Sequence, residues 1–258
     1  MSDDDLIPVE LPARRTTLTP LEVAEVFVPV YRDHLGGDPT IECVSVFCAH
    51  IMFETAWTNQ CFDFQFGNMK HVEGDGQCWT FYACGEELDI HTAQALVEKD
   101  PTKHQILPEY SDQVRIVSVY AAGTRASVRF IPKHPYCAFV AHKTARLGMI
   151  RYVTRFTDGR YQVAMPFAIH GDAAGFSHAI RLKGYYTAPE GPYTDGLVKT
   201  AANYPRHLPV GWKPSDVVDH PVIEPVVTLI SDEEKRWAMQ LVSLNVAEAS
   251  RALLSAPG

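Results

Sequence analysis

The chain has 258 residues, 46% hydrophobic, 21% charged and 10% aromatic, a composition that builds a sizeable core without metals or disulfides and excludes disorder and collagen-like architecture. Lys and Arg number 23 against 31 Asp and Glu, leaving a net charge of −8 and a pI near 5.7, so no overall positive field draws the chain to nucleic acid or to anionic lipid. The start, Met1-Ser2-Asp3-Asp4-Asp5, is acidic where a secretory signal needs a basic opening and an apolar stretch. The expectation is synthesis in the cytoplasm without a signal peptide. There the six cysteines, Cys43, Cys48, Cys61, Cys78, Cys84 and Cys137, stay reduced.

In chain order, Thr19-Pro20-Leu21-Glu22 combines an N-cap, Pro at N1 and Glu at N3, which predicts a helix over 20 to about 32 that Gly36-Gly37 stops. A second helix is expected to open at Asp38-Pro39. Residues 43–57 are apolar on nearly every face, the pattern of a centrally buried helix. Ser45, His50, Glu54 and Thr55 interrupt them, and the stretch is too short to span a bilayer. Phe66-Gly67-Asn68 and Glu73-Gly74-Asp75-Gly76 supply turn chemistry around Trp79-Thr80-Phe81-Tyr82, which predicts a hairpin or loop-rich lobe. Helical signals return over 91–99, residues 127–131 alternate like a strand, and Pro135 predicts a helix to about 147. Asp172 caps a helix that Gly184 closes, and another is expected over 193–203.

The texture then changes, because Pro205, Pro209, Pro214, Pro221 and Pro225 break regular structure. Ser231-Asp232-Glu233-Glu234 opens a last helix with Trp237, Leu241, Leu244 and Leu253 among its apolar positions. The organisation read here is an arm over 1–18, a domain over 19–205, a Pro-rich linker over 206–230 and a C-terminal helix over 231–258. The fold class is mainly α (α+β), a helical domain with a small β-hairpin lobe and a C-terminal helical tail.

One carboxylate stands out. Glu54 is the only acid within 43–57, and Phe47, His50, Ile51 and Trp57 surround it at helical spacing. Taking a carboxylate out of water disfavours its charged form, so Glu54 is expected to titrate above the ordinary carboxylate range and to suit general-acid work near neutral pH. The plainer alternative is a satisfied buried polar group that bonds His50 one turn back or caps a loop amide.

The run Ile51-Met52-Phe53-Glu54-Thr55-Ala56-Trp57, followed by Phe66-Gly67-Asn68-Met69-Lys70, resembles the glucosaminidase (glycoside hydrolase family 73-like) branch of the lysozyme superfamily. In that family a catalytic Glu ends a buried helix in an apolar-E-[ST]-x-W pattern and an F-G-[IN]-x-K turn opens the substrate lobe. Phe176-Ser177-His178-Ala179-Ile180-Arg181-Leu182-Lys183-Gly184-Tyr185-Tyr186-Thr187-Ala188-Pro189 is similar to the family's G-Y-A-T-D-P segment, with Tyr185 at the essential tyrosine, and Tyr193 is similar to the tyrosine that follows. Val128-Arg129-Phe130 ahead of Pro135 resembles the family's aromatic-bearing strand. Two departures are that Ala188 replaces the family's Asp and that Glu190, Gly191 and Pro192 are extra before Tyr193. The resemblance spans about 19–205.

The resemblance implies a lysozyme-like fold with a groove between helical body and hairpin lobe. It implies cleavage of β-1,4 glycosidic bonds in peptidoglycan by an N-acetylglucosaminidase or muramidase, with lytic-transglycosylase chemistry open. Glu54 would be the acid, and Tyr185 would orient the N-acetyl group or stabilise the cation. The second carboxylate would come from the small lobe about thirty to forty residues on, where Glu86 sits, with Glu73 and Glu87 as competitors. Trp57, Asn68, Lys70, Glu73, Trp79, Tyr82, Tyr186 and Tyr193 are the candidate substrate-binding residues. Neither cofactor nor metal is implied. The partners implied are peptidoglycan glycan strands and, through the C-terminal helix, a phage-tail-like injection particle, with action on the cell wall after release or delivery.

Two other readings compete. Gly76-Gln77-Cys78-Trp79 is similar to the G-Q-C segment of cysteine amidases that cut peptidoglycan stems, which would make Cys78 the nucleophile with His134, His142 or His170 as base. A non-catalytic wall-binding module on the same fold is the other. Metal hydrolysis has no H-E-x-x-H or C-x-x-C to rest on, and Gly175-Phe176-Ser177-His178-Ala179 is one residue short of a nucleophile elbow.

Overall fold

The structure is a computed structural model that describes residues 8–73, 76–97, 113–186, 188–219 and 226–229. The readings placed on 1–5, on Gly74 and Asp75, on Glu98 and Lys99, on Thr187, on Pro221 and Pro225 and on 231–258 lie outside these residues. Helices dominate the described part, and a smaller share is antiparallel sheet. The first elements are β1 (Arg14–Thr17), α1 (Pro20–Leu35), α2 (Ile41–Glu54), β2 (Trp79–Phe81), β3 (Cys84–Asp89) and α3 (Ile90–Val97). Then follow β4 (Val114–Tyr120), β5 (Arg125–Phe130), β6 (Ala138–Val140) and α4 (Ala145–Thr157). Last come α5 (Met165–Ile169), α6 (Ala173–Leu182), α7 (Glu190–Asn203) and β7 (Val226–Leu229). No described helix is long and apolar enough to cross a membrane.

The described residues fall into two units, one drawn from Arg14–Met69 and Ala141–Thr228 and the other from Leu6–Ala13 and Lys70–Val140. In the first, the capping box at the head of α1 forms as its residues predict: the Thr19 hydroxyl accepts the Glu22 amide at 3.2 Å and the Glu22 carboxylate accepts the Thr19 amide at 2.6 Å. Helix α2 opens later than Asp38-Pro39, because Asp38 is engaged by Arg32 at 2.5 Å while the Thr40 hydroxyl accepts the Cys43 amide at 3.1 Å. Every residue from Cys43 to Met52 is buried, as the all-round apolar sequence requires. Phe47 sits at the centre of the core, meeting Tyr152, Phe156 and Phe176 edge-on with centroids 5.3–6.2 Å apart.

The second unit holds two antiparallel sheets, β2 with β6 and the three strands β3-β5-β4. Trp79–Phe81 is a strand, but it pairs with distant β6, Trp79 opposite Val140, rather than in a local hairpin; the hairpin is β4–β5. Ala126, Val128 and Phe130 form the buried face of β5. The helix expected from Pro135 to 147 is instead a 3₁₀ turn, Pro135–Cys137, followed by β6 and, in the first unit, α4. Pro135 does start a turn, capped by the His134 ring that accepts the Tyr136 amide at 3.0 Å, but strand pairing then takes the chain. The true cap of α4 is Thr144, whose hydroxyl accepts the Leu147 amide at 3.3 Å.

Helix α4 approaches the chain that follows α2 so closely that a Cβ on Gly148 would lie 2.2 Å from the carbonyl oxygen of Phe64 and 3.1 Å from its Cβ. Backbone cannot yield as a flexible side chain does, so Gly148→Ala is expected to destabilise the protein by about 1–3 kcal/mol, despite alanine's better helix propensity. Urea unfolding of both proteins measures it.

Candidate active site

Glu54 is the last residue of α2, and only 13% of its side chain is exposed. Both burial and the negative end of the helix dipole work against a charge there. Its carboxyl is held above the ordinary carboxylate range chiefly by burial, opposed by hydrogen bonds from Tyr193 and Asn68. The Tyr193 hydroxyl donates to Glu54 Oε1, and Asn68 Nδ2 donates to the Glu54 main-chain oxygen at 2.5 Å and reaches Oε2 at 3.5 Å. The amide of Asn68 thus satisfies a carbonyl that the helix end leaves open.

Behind Glu54 lies His50, fully buried, with Nδ1 2.6 Å from the Tyr152 hydroxyl and Nε2 3.2 Å from the Tyr193 hydroxyl. Burial pushes this imidazole down to about 3, so it is neutral and offers one donor and one acceptor. His50 Nε2 and Glu54 Oε1 are 3.8 Å apart, too far for a hydrogen bond, and a neutral ring forms no ion pair. Tyr193 bridges the two, so the direct bond of the plainer alternative does not form.

The chain from Thr55 to Met69 is shaped to present this carboxyl. Ala56, Trp57 and Thr58 all have φ between 48° and 62°, a left-handed run that ends the helix and carries Trp57 off the Glu54 face. Hydroxyls pin the turn: Thr55 Oγ1 donates to the Ile51 oxygen at 2.6 Å and accepts the Thr58 amide at 3.1 Å, while Thr58 Oγ1 donates to the Leu18 oxygen at 2.6 Å. From β1, Thr16 Oγ1 accepts the Phe64 amide at 3.0 Å, and Arg14 Nε grips the fully buried Asp63 carboxylate at 2.8 Å. Gly67 has φ +90°, and a Cβ there would lie 2.6 Å from the Tyr185 hydroxyl oxygen, so the Phe66-Gly67-Asn68 turn needs its glycine.

The structure gathers Glu54, Asn68, Tyr185, Tyr186 and Tyr193 and reassigns their parts. Tyr185 donates to the Gly67 oxygen at 2.6 Å and packs its ring 4.9 Å from His50, which makes it a holder of the turn. The hydroxyl on the carboxyl belongs to Tyr193. Tyr186, expected to bind substrate, is buried, stacked on Tyr193 at 3.6 Å with its hydroxyl 3.1 Å from Ser177 Oγ, and so supports the tyrosine beside it. Trp57 is 39% exposed and packs on His207 at 4.7 Å. Tyr152, which no motif singled out, lies one turn from both Gly148 and Phe156 on the buried face of α4; that i, i+4, i+8 pattern was its only signal.

The remaining candidates, apart from His142 and His170 of the first unit, belong to the second unit. Glu86 pairs with Lys70 at 3.3 Å, Glu87 accepts from the Tyr120 hydroxyl, and Glu73 is exposed in a turn. Trp79 stacks on His71 at 4.9 Å, and Tyr82 is buried against Phe139 at 4.0 Å, a core position rather than a sugar platform. Cys78 leads into β2 and not into a helix, so no helix N-terminus activates it. Of its proposed bases, His134 and His142 are pushed down to about 4 by burial, and His170 is tied to the Pro166 oxygen at 2.7 Å. Among the described residues no group of three or more His, Cys, Asp or Glu side chains is placed to hold a metal.

Compared with protein-family models, with curated proteins and with solved structures, the chain gives no match.

A folded carboxyl with a raised pKa favours the protonated state, so its contribution to stability is present at low pH and is lost as pH rises through the folded value. Glu54→Gln is an uncharged near-isostere. Its melting temperature is expected to match the parent's at pH 4 and to exceed it by a few degrees at pH 8, as paired calorimetric scans will show.

Proposed function

We propose that this protein is a lysozyme-like peptidoglycan glycosidase that cuts a β-1,4 bond of the glycan strand with Glu54 as its acid. The observation that carries this reading is the Glu54 carboxyl itself, buried at a helix end, kept proton-loving by its surroundings and aimed by Tyr193 and Asn68. The motif order from α2 through the Gly67 turn to Tyr185 and Tyr193 adds the choice of substrate. The reaction is written with Glu54 as its acid–base carboxyl, the group whose raised pKa burial accounts for.

Glu54 gives its proton to the glycosidic oxygen as the bond to the anomeric carbon breaks. The resulting carboxylate is stabilised on Oε1 by the Tyr193 hydroxyl while the sugar carries oxocarbenium character. It then takes a proton from the incoming hydroxyl. Water would leave a reducing end, and the sugar's own 6-hydroxyl would leave a 1,6-anhydro ring. Either way the acid is restored.

Mass spectrometry of fragments released from purified sacculi tests this. Glycan fragments with new reducing or anhydro ends are expected, and Glu54→Gln is expected to abolish them while sacculus binding persists. Release of stem peptides that Cys78→Ser alone abolishes, or unchanged sacculi, would overturn the proposal.

Because the acid must be protonated, the rate is expected to fall as pH rises through the raised Glu54 value. Tyr193→Phe removes a donor that favours the carboxylate. The alkaline limb should therefore move to higher pH, with kcat down about 10–100-fold, the range for losing one hydrogen bond to a charged group.

A further inference from the structure

The second unit carries a side-chain cluster that the glycosidic chemistry does not use. Cys84 begins β3 with its Cα opposite Phe130, and the main-chain bond from the Tyr82 amide to the Cys137 oxygen (3.2 Å) brings the turn Pro135–Cys137 alongside. There the Cys84 and Cys137 thiols are neighbours close enough for their ionisations to be linked. Cys84 Sγ is 3.1 Å from the Tyr136 oxygen and 3.3 Å from Lys70 Nζ. Lys70 is held in place by the Tyr136 oxygen at 2.6 Å, Glu86 Oε1 at 3.3 Å and the face of Phe139 at 4.0 Å. The lysine and Glu86 side chains are 39% and 29% exposed, so the cluster reaches the surface on their side.

We propose that Cys84 and Cys137 are a thiol–disulfide exchange site for small-molecule disulfides, with Cys84 the attacking sulfur, Lys70 its counter-charge and Cys137 the resolving sulfur. The attacking group has to be a thiolate. The neighbouring Cys137 thiol, and with it the Lys70 charge, draws Cys84 below the ordinary thiol range, while Cys84 and burial hold Cys137 far above it. The order of attack rests on position: Lys70 Nζ stands 3.3 Å from Cys84 Sγ, so Cys84 is the sulfur that has a counter-charge beside it. By contrast, burial pushes the thiols of Cys43 and Cys61 up to about 12 and raises that of Cys48 as well.

With oxidised glutathione as the co-reactant, the Cys84 thiolate attacks one of its sulfurs. The glutathione S–S bond breaks, and its electron pair leaves on a glutathione thiolate that takes a proton from water. Cys137 then loses its proton to solvent and attacks the Cys84 sulfur. The mixed disulfide breaks, a second glutathione leaves, and Cys84 and Cys137 are joined. Two protein thiols are oxidised as one disulfide is reduced to two thiols.

The test is to hold the full chain at pH 7 in glutathione buffers of graded ratio, block the remaining thiols with N-ethylmaleimide and map the peptides by mass spectrometry. Joined Cys84 and Cys137 peptides are expected first as the buffer becomes more oxidising, with Cys43, Cys48 and Cys61 blocked as thiols once the chain is unfolded. Cys137→Ser is expected to trap one glutathione on Cys84. Lys70→Met is expected to slow Cys84 modification about tenfold, the change in thiolate fraction for one pKa unit. Cys84 and Cys137 both recovered as blocked thiols from the unsubstituted protein at every ratio, or glutathione found on Cys78 alone, would overturn the proposal. Since that measurement uses the unsubstituted chain, a variant that fails to fold does not affect it.

Discussion

The first unit is organised around a carboxyl group that water no longer reaches freely. Glu54 ends a helix whose preceding residues are apolar on every side, so the group that would most prefer solvent is fixed at the edge of the core. A carboxylate in such a place is costly unless it is neutral or bonded. Glu54 is bonded, through Tyr193 and Asn68, and burial shifts its balance towards the neutral form. Were a cation seated against it, the same burial would have produced an ordinary structural ion pair. The nearest imidazole is too deeply buried to carry charge.

The chain after α2 shows what holding that carboxyl entails. Left-handed backbone costs a non-glycine residue roughly 1–2 kcal/mol, and Ala56, Trp57 and Thr58 adopt it consecutively. Such a run persists only where its surroundings over-determine it. Here the hydroxyls of Thr16, Thr55 and Thr58, none of them exposed, stand in for the pairing that a helix or strand would have given. The sharp stop leaves Glu54 as the final helical residue and brings Asn68 back against its carbonyl. A helix continued to Trp57 would have occupied the ground that Asn68 now takes.

This history explains what the sequence made legible. The cap at Thr19, the all-round burial of α2 and the perturbed Glu54 follow from local chemistry, and all are present. The helix expected at Pro135 fails because proline at N1 signals only a first turn; the outcome is decided by pairing of Ala138–Val140 with β2, a contact across some sixty residues that no window contains. For the same reason Trp79–Phe81 reads as half of a hairpin whose other half lies far along the chain. At the site, spacing could name tyrosines but not tell them apart. Tyr185 follows α6, where its hydroxyl meets the Gly67 carbonyl, while Tyr193 sits on α7, which crosses α2 and lays that side chain on the carboxyl.

The line of side chains from Tyr152 through His50 and Tyr193 to Glu54 has one more consequence. A neutral imidazole carries a single proton, and hydrogen-bond directions along such a line are linked. If Tyr193 donates to Glu54 Oε1, its oxygen accepts from His50 Nε2, and His50 Nδ1 accepts from Tyr152. The opposite order is also complete: Glu54 donates to Tyr193, Tyr193 to Nε2, Nδ1 to Tyr152, and the Tyr152 hydroxyl turns to the Phe47 carbonyl at 3.3 Å. Only the first order leaves a Glu54 proton on Oε2, outside the line, because the second commits it inward to Tyr193. A Glu54 carboxylate cannot donate at all, so each ionisation forces the line into the first order. When a proton returns, it therefore meets a carboxyl whose Oε1 is already occupied by Tyr193, and Oε2 is the oxygen left to receive it. The buried imidazole carries one proton in either order, so it links Tyr152 and Tyr193 to the Glu54 carboxyl without touching that carboxyl or changing charge.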